Sequence, residues 1–316
     1  MLTRRKLLAC SIAPAWALTM RDASSASPAQ VPPLAGATDS HVHIFDPENF
    51  PYAAARRYTP PPATVGDLRK LQALIGTERV VCVQPSVYGT DNRCLVHALQ
   101  QLGALARGIA VIDSSTSNAE LKELVDAGVR GVRINLEVDK DRDVLKTRDV
   151  LRRVSDQVAG HNLLIQVYGS LSLVTGCAEV IASLPQRVLV DHFGLAKAAW
   201  GTQTPEFRRL IELLQHDRVF MKLSGPYQIS EAGPAYADTA AIGAALVAAA
   251  PSRVVWGSDW PHTGGANRPT DYKPTDLEPF RVEDDRRNFD LIGGWALDAP
   301  SRKRLLVDNP AELFGF

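Results

Sequence analysis

From Thr38 onward the chain repeats one pattern. A short apolar, β-branched run is followed by a polar break and then by apolar residues at three- and four-residue spacing. The runs fall at Thr38–Phe45, Arg79–Gln84, Ala106–Ile112, Gly131–Asn135, Leu163–Tyr168, Arg187–His192, Val219–Ser224 and Arg253–Asp259, eight in all. Val80-Val81-Cys82-Val83 and Val188-Leu189-Val190 are continuously apolar, as strands covered on both faces are. Helical spacing follows in Leu68, Leu71, Ala73, Leu74 and Ile75, then in Leu95, Ala98, Leu99 and Leu102. It returns in Leu121, Leu124 and Val125, in Val150, Leu151, Val154 and Val158, and in Phe207, Leu210, Ile211 and Leu214. Asn118 is placed to cap the third of these helices, and Pro205 suits the first turn of the last. Eight strands alternating with helices predict an α/β protein built as one (β/α)8 barrel, with an open doubly wound sheet as the rival. No Gly-x-Gly-x-x-Gly follows the first run, so a dinucleotide fold has no specific support. The stretch Pro261–Pro279 reads as a long loop over the barrel mouth.

Residues 1–26 do not share this pattern. Arg4-Arg5-Lys6 precedes a mildly apolar stretch, Leu7 to Met20, of 14 residues, and Ser24-Ser25-Ala26 follows. The stretch is shorter than the roughly 18 residues a spanning helix needs. Basic start, short apolar core and small-residue exit are the parts of a secretory signal, and the arginine pair resembles a twin-arginine signal. The expected organisation is a signal peptide over residues 1–26 and a barrel over 27–316. The expected location is the periplasm, with the twin-arginine translocase as a partner during export and no membrane attachment after signal removal. A frayed basic terminus of a cytosolic protein is the alternative.

Charge changes the picture little. The chain carries 35 Lys+Arg and 35 Asp+Glu, and 45% of its residues are hydrophobic, values of an ordinary globular protein. Loss of residues 1–26 would leave 31 positive and 34 negative charges, a formal −3. No bulk positive charge favours a nucleic acid, so the expected partner is a small-molecule substrate. Cys82, Cys94 and Cys177 form no disulfide framework.

The polar residues gather where the strands end, which in such a barrel is where chemistry sits. Strand one ends Asp39-Ser40-His41-Val42-His43, and two histidines two apart share one strand face. Strand four ends Arg133-Ile134-Asn135, strand five Gln166-Val167-Tyr168 and strand six Val190-Asp191-His192. Strand seven supplies Lys222 and Ser224, and strand eight ends Gly257-Ser258-Asp259-Trp260-Pro261-His262. Taken singly, a strand-end His is usually solvated and a strand-end Asp usually caps a helix. A His pair, a further His and an Asp at the same end of different strands point to a site.

Seven segments in order resemble the amidohydrolase superfamily, in its lactonase-containing amidohydrolase-2 branch. They are Asp39–Pro47, Arg56–Pro60, Gly131–Asn135, Asp191–Gly194, Met221–Gly225, Trp256–His262 and Asp308–Phe314. The resemblance spans about residues 36–316. It implies a distorted (β/α)8 barrel that hydrolyses a lactone or related acyl compound. It implies that Asp259 activates the attacking water while His41, His43 and His192 polarise the carbonyl. Arg133 is placed to bind a substrate carboxylate, and Tyr58, Tyr168 and Lys222 to contact the substrate. Many relatives hold a divalent metal with the His pair, a Lys or Glu after strand four and a His after strand five. Here those last positions carry Arg133, Asn135, Gln166 and Tyr168. No cofactor is therefore expected; a single zinc ion at His41, His43 and Asp259 is the alternative. Arginines that pyrone-dicarboxylate lactonases carry after His192 and near Gln228 are missing, which disfavours a dicarboxylate substrate. The expected activity is lactone hydrolysis of an acidic or sugar-derived small molecule. A metal-dependent decarboxylase is the second reading and a non-enzymatic binding protein the third.

Overall fold

The computed structural model of the protein describes residues 30–137, 143–264 and 271–316. The expected signal peptide lies outside the described residues. Eight strands form one sheet of parallel neighbours in sequence order. They are β1 (Thr38–Val42), β2 (Arg79–Val83), β3 (Ala106–Ala110), β4 (Val129–Asn135), β5 (Leu164–Tyr168), β6 (Val188–Val190), β7 (Val219–Ser224) and β8 (Val254–Gly257). Seven of the eight runs read from the sequence each contain one of these strands; β4 begins two residues before its run, at Val129. The sequential order excludes the doubly wound sheet, whose strand order reverses at its centre.

Helices stand between the strands: α1 (Val65–Ile75), α2 (Arg93–Leu102), α3 (Asn118–Asp126), α4 (Val144–Gln157), α5 (Leu171–Gly176), α6 (Ala178–Ser183), α7 (Pro205–Leu214) and α8 (Ala240–Ala249). Short helices close the chain, from α9 (Asp285–Asp290) through α10 (Ile292–Trp295) and α11 (Ala299–Lys303) to α12 (Asn309–Phe314). The cap of α3 corrects the sequence reading. Ser117, not Asn118, accepts from the Glu120 backbone N–H, and Glu120 returns the bond to the Ser117 backbone. That reciprocal pair satisfies two of the helix's orphan donors, which Asn118 one residue later would not.

Alternation along each strand sorts the barrel interior by depth. At the floor Val81, Val83, Ile109, Leu164, Leu189, Phe220 and Val255 form one apolar cluster, sealed by Leu313 and Phe314 of α12. Two residues further along the same strand faces, the interior turns polar, with Gln166, Asp191 and Lys222. The outward faces, Val80, Cys82, Ile165, Val188, Val190, Met221, Leu223 and Trp256, pack in the cluster that includes the helices. Burial on both sides explains the continuously apolar runs.

The barrel closes between β1 and β8 by a mixed seam. The Asp259 N–H donates to the His41 carbonyl at 2.9 Å and the His43 N–H to the Trp260 carbonyl at 2.8 Å. Below them the Asp39 carboxyl accepts from the Ser258 N–H at 2.9 Å and the His41 N–H at 3.2 Å. Burial pushes Asp39 up to about 7, against the opposing Ser258 donors. Gly257 lets the strands meet, since a Cβ there would lie 2.7 Å from His41 Cβ and from the His41 backbone nitrogen. The loop after β8 returns to the mouth, where the Glu278 N–H donates to Thr59 at 2.7 Å and the Arg281 N–H to His262 at 2.9 Å. Among the described residues no helix is long and apolar enough to cross a membrane.

Asp39→Ala should leave two buried N–H groups without an acceptor and cost about 1–3 kcal/mol. Asp39→Asn keeps an acceptor oxygen and should restore most of it. Urea unfolding of the three proteins tests this, and equal midpoints for all would show that the carboxyl does not hold the seam.

Candidate active site

The deepest polar group is the Lys222 ammonium, with no exposure to solvent. Its Nζ donates to Gln166 Oε1 at 2.8 Å and to His41 Nδ1 at 3.2 Å, and pairs with Asp191 Oδ1 at 3.1 Å. Two hydrogen bonds thus reach β5 and β1, and an ion pair reaches the end of β6. Burial lowers Lys222 while the Asp191 charge opposes the shift. Burial would raise Asp191, but Lys222, His41 and Arg133 outweigh it and hold the carboxyl well below its ordinary value. Asp191 Oδ2 also accepts from Gln166 Nε2 at 2.8 Å and lies 3.4 Å from the Arg133 guanidinium.

This network determines the imidazoles above it. His41 Nδ1 lies between the Lys222 ammonium at 3.2 Å and the Asp191 carboxylate at 3.6 Å; accepting from the ammonium, which offers only donors, places the ring proton on Nε2. His43 Nδ1 donates to the Val83 carbonyl at 2.8 Å, which leaves its Nε2 as an acceptor, 3.3 Å from His41 Nε2. Burial, then the neighbouring cations, lowers both rings: Lys222 acts on His41, and Arg133 on His43, which falls to about 4. His192 follows β6 at φ 47°, with Nδ1 3.0 Å from Ser224 Oγ and 3.2 Å from the Ser224 carbonyl.

Asp259 faces these rings from the end of β8, at φ 66°. Its Oδ1 lies 3.6 Å from His41 Nε2 and 3.8 Å from His43 Nε2, and its Oδ2 lies 3.9 Å from His192 Nδ1. The Tyr227 hydroxyl donates to Oδ2 at 2.8 Å. Burial alone would raise Asp259. The His192, His41 and His43 rings and the Tyr227 donor outweigh it and hold the carboxyl ionised, well below its ordinary value. Gly225, at φ 57°, makes room, because a Cβ there would lie 2.7 Å from Asp259 Oδ2.

A polar cavity of about 200 Å³ opens above this cluster, lined by His43, Tyr58, Ser86, Arg133, Asn135, Tyr168, His192, Gln228, Asp259 and Glu278 among others. Arg133 stands over the Tyr168 ring at 5.1 Å and is the one Lys or Arg among the described residues of that lining. Burial pushes the Tyr58 hydroxyl up to about 12, and Tyr168 is raised likewise. A larger cavity of about 590 Å³, beside α4, shares Arg133 and Ser86 but holds none of the histidines.

Of the residues singled out from the sequence, Asp259, His43, His192, Arg133, Tyr58 and Tyr168 meet at this cavity. Two are placed differently. Lys222 is fully buried and does not line the cavity, where the sequence reading expects a substrate contact. His41 also lies below the lining, fully buried, and reaches the cavity only through His43 and Asp259. Asp191 and Gln166 were visible as polar strand ends, but their pairing with Lys222 is a long-range contact that no local pattern encodes. Tyr227 carries no motif of its own; it reaches Asp259 because the turn Pro226–Gln228 follows β7.

His41 Nε2, His43 Nε2 and Asp259 Oδ1 form the donor set of a three-ligand metal site, and their separations suit zinc bond lengths of about 2.0–2.2 Å. A ligating Nε2 must be bare, with Nδ1–H held by an acceptor; His41 Nδ1 faces the Lys222 ammonium at 3.2 Å and the Asp191 carboxylate at 3.6 Å, so metal binding would require it to give its proton to Asp191 and forgo the ammonium contact.

Comparison with known proteins agrees with this architecture. The sequence profile of the Amidohydrolase family matches residues 38–316. The 4-sulfomuconolactone hydrolase of Rhizobium radiobacter is 34% identical over 281 residues, covering 89% of this chain and 90% of its own. The 2-pyrone-4,6-dicarboxylate hydrolase of Comamonas testosteroni is 35% identical over 290 residues, covering 89% and 90%. A crystal structure from Agrobacterium tumefaciens superposes with a TM-score of 0.74 at 26% identity, covering 92% of this chain and 99% of that one.

Lys222→Met should strand the buried Asp191 charge and cost about 3–5 kcal/mol, read by denaturant unfolding. A loss below 1 kcal/mol would mean that the ammonium does not hold the polar interior together.

Proposed function

Because the chain belongs to the Amidohydrolase family, we propose that it is a hydrolase that opens the ring of a small lactone. The observation that carries this reading is the ionised Asp259 at the cavity floor, faced by imidazoles and a guanidinium. Ester hydrolysis needs a base for water and donors for the oxygen that becomes negative. Asp259 Oδ1 takes the proton as water attacks the carbonyl carbon. His192, anchored through Nδ1 by the Ser224 hydroxyl and carbonyl, is the ring that polarises the carbonyl oxygen. His41 faces Asp259 from below and His43 lies beside it. The ring C–O bond then breaks and the proton passes to the leaving oxygen, giving a hydroxy acid. Tyr58 and Tyr168 bind the substrate by hydrogen bonds.

Arg133 binds one anionic group, bidentately if it is a carboxylate. Gln228 and Asn135 are neutral where a dianion would call for further cations, so we assign a lactone with a single anionic group or a sugar-derived one. The two relatives act, by their names, on a sulfonated lactone and a pyrone dicarboxylate. Asp259→Asn should lower kcat by about 10²–10⁴-fold on any lactone turned over by the wild type. Arg133→Ala should raise KM for acidic lactones and leave neutral ones nearly unchanged. Retained turnover in the first, or equal effects on both classes in the second, would overturn these roles.

We further propose that turnover needs no metal, given the Lys222 contact on His41 and the Arg133 charge beside the site. Protein treated with a chelator and checked by metal analysis should keep its rate; loss restored by zinc would reject the proposal. Export through the twin-arginine route is proposed from Arg4 and Arg5. Replacing both with Lys should abolish the exported fraction, and an unchanged fraction would argue against that route.

A further inference from the structure

Behind Asp259, on the side away from the cavity, runs a file of polar groups that the hydrolytic scheme does not use. Tyr227 Oη lies 2.8 Å from Asp259 Oδ2 and 3.3 Å from His262 Nδ1, and His262 Nε2 lies 2.9 Å from Asp285 Oδ1. The file starts at the turn after β7, passes through the loop after β8 and ends on the first residue of α9. His262 is 4% exposed and the Asp285 side chain 19%, so the file runs from the buried site toward the surface.

Asp259 is ionised and only accepts, so the single Tyr227 proton goes to it. The His262 ring bridges the Tyr227 oxygen and the Asp285 carboxylate, with one nitrogen within hydrogen-bond distance of each. Burial and the Asp259 charge raise Tyr227 well above its ordinary value, which keeps its proton in place. The geometry is braced as well: the His262 N–H donates to the Asp259 carbonyl at 2.9 Å, and the Arg281 guanidinium covers the Tyr227 ring at 4.6 Å.

We infer that Tyr227, His262 and Asp285 are positioning residues for Asp259. They fix Oδ2 so that Oδ1 alone faces the water, and none of them touches substrate. The inference rests on the reading of Asp259 as the base. Without the Tyr227 donor the carboxylate can turn about its own axis, and a misplacement of that kind costs catalysis and not binding. Neither the relatives' names nor the motifs read from the sequence assign a role to Tyr227 or Asp285.

The test uses the full-length protein and a lactone that the wild type hydrolyses. Tyr227→Phe should lower kcat about 10–100-fold with KM within about twofold, His262→Ala should lower kcat less, and Asp285→Asn least. Because His262 acts only through Tyr227, the double variant Tyr227→Phe/His262→Ala should be no slower than Tyr227→Phe alone. Thermal melting certifies the fold of each. If His262→Ala does not fold, Asp285→Asn replaces it in the double-variant comparison, since it weakens the same file from the partly exposed end. Multiplying losses, a rise in KM that accounts for the loss, or wild-type kcat in Tyr227→Phe would each overturn the inference. Asp259→Asn in the same assay separates the two ideas: if it is inactive while Tyr227→Phe is normal, the base stands and the file falls. If Asp259→Asn is active, the base itself is misassigned.

Discussion

A lysine ammonium with no solvent contact dictates the arrangement of everything above it. Taking a charge of that kind out of water is unfavourable by several kcal/mol unless partners replace the lost hydration. Lys222 finds them in Asp191, Gln166 and His41, from three other segments of the barrel wall. The barrel cannot change the register of β1, β5, β6 or β7 without breaking that set. The same contact decides chemistry as well as stability. It fixes the neighbours of His41 Nδ1, and the Val83 carbonyl fixes how His43 presents itself. A group that lines no part of the cavity therefore helps to hold the rings that face it.

The seam between β1 and β8 imposes the second constraint. Asp259 is both the last part of the wall and the proposed base: its N–H closes the barrel on the His41 carbonyl while its side chain turns into the site. That double duty explains its left-handed backbone, uncommon for a residue with a Cβ and found where surrounding contacts over-determine the conformation. Gly257 beneath it and Gly225 beside it remove the two side chains that would collide with His41 and the carboxylate. Close approach, and not flexibility, is what these two positions need.

Strands such as β2 and β6 were legible because they are continuously apolar and β-branched, and the barrel followed from the count of such runs and their alternation with helices. Helix α8, Ala-Ala-Ile-Gly-Ala-Ala-Leu-Val-Ala-Ala, escaped notice for the complementary reason: with no polar face it has no periodicity to detect. In the site, His41, His43, His192 and Asp259 stood out because they end strands on one side of the barrel. Depth was not legible. Lys222 and Ser224 lie two apart on the same face of β7, yet only a register between distant strands puts the lysine under the floor and the serine beside His192. Tyr227 was invisible because its contact with Asp259 joins residues 32 positions apart through a short turn.

Arg133 shows how the buried network extends to substrate choice. Its guanidinium is 3.4 Å from Asp191 Oδ2, a carboxylate already engaged by Gln166 and, through Oδ1, by Lys222. Two cations therefore share one buried anion, and the local charge is positive before Asp259 is counted. An incoming anionic group would meet the Arg133 guanidinium without displacing Asp191, because the Lys222 pair does not open to the cavity. The buried pair beneath the floor thus leaves Arg133 as the one Lys or Arg among the described lining residues to meet an anionic group, in a cavity it shares with the ionised Asp259.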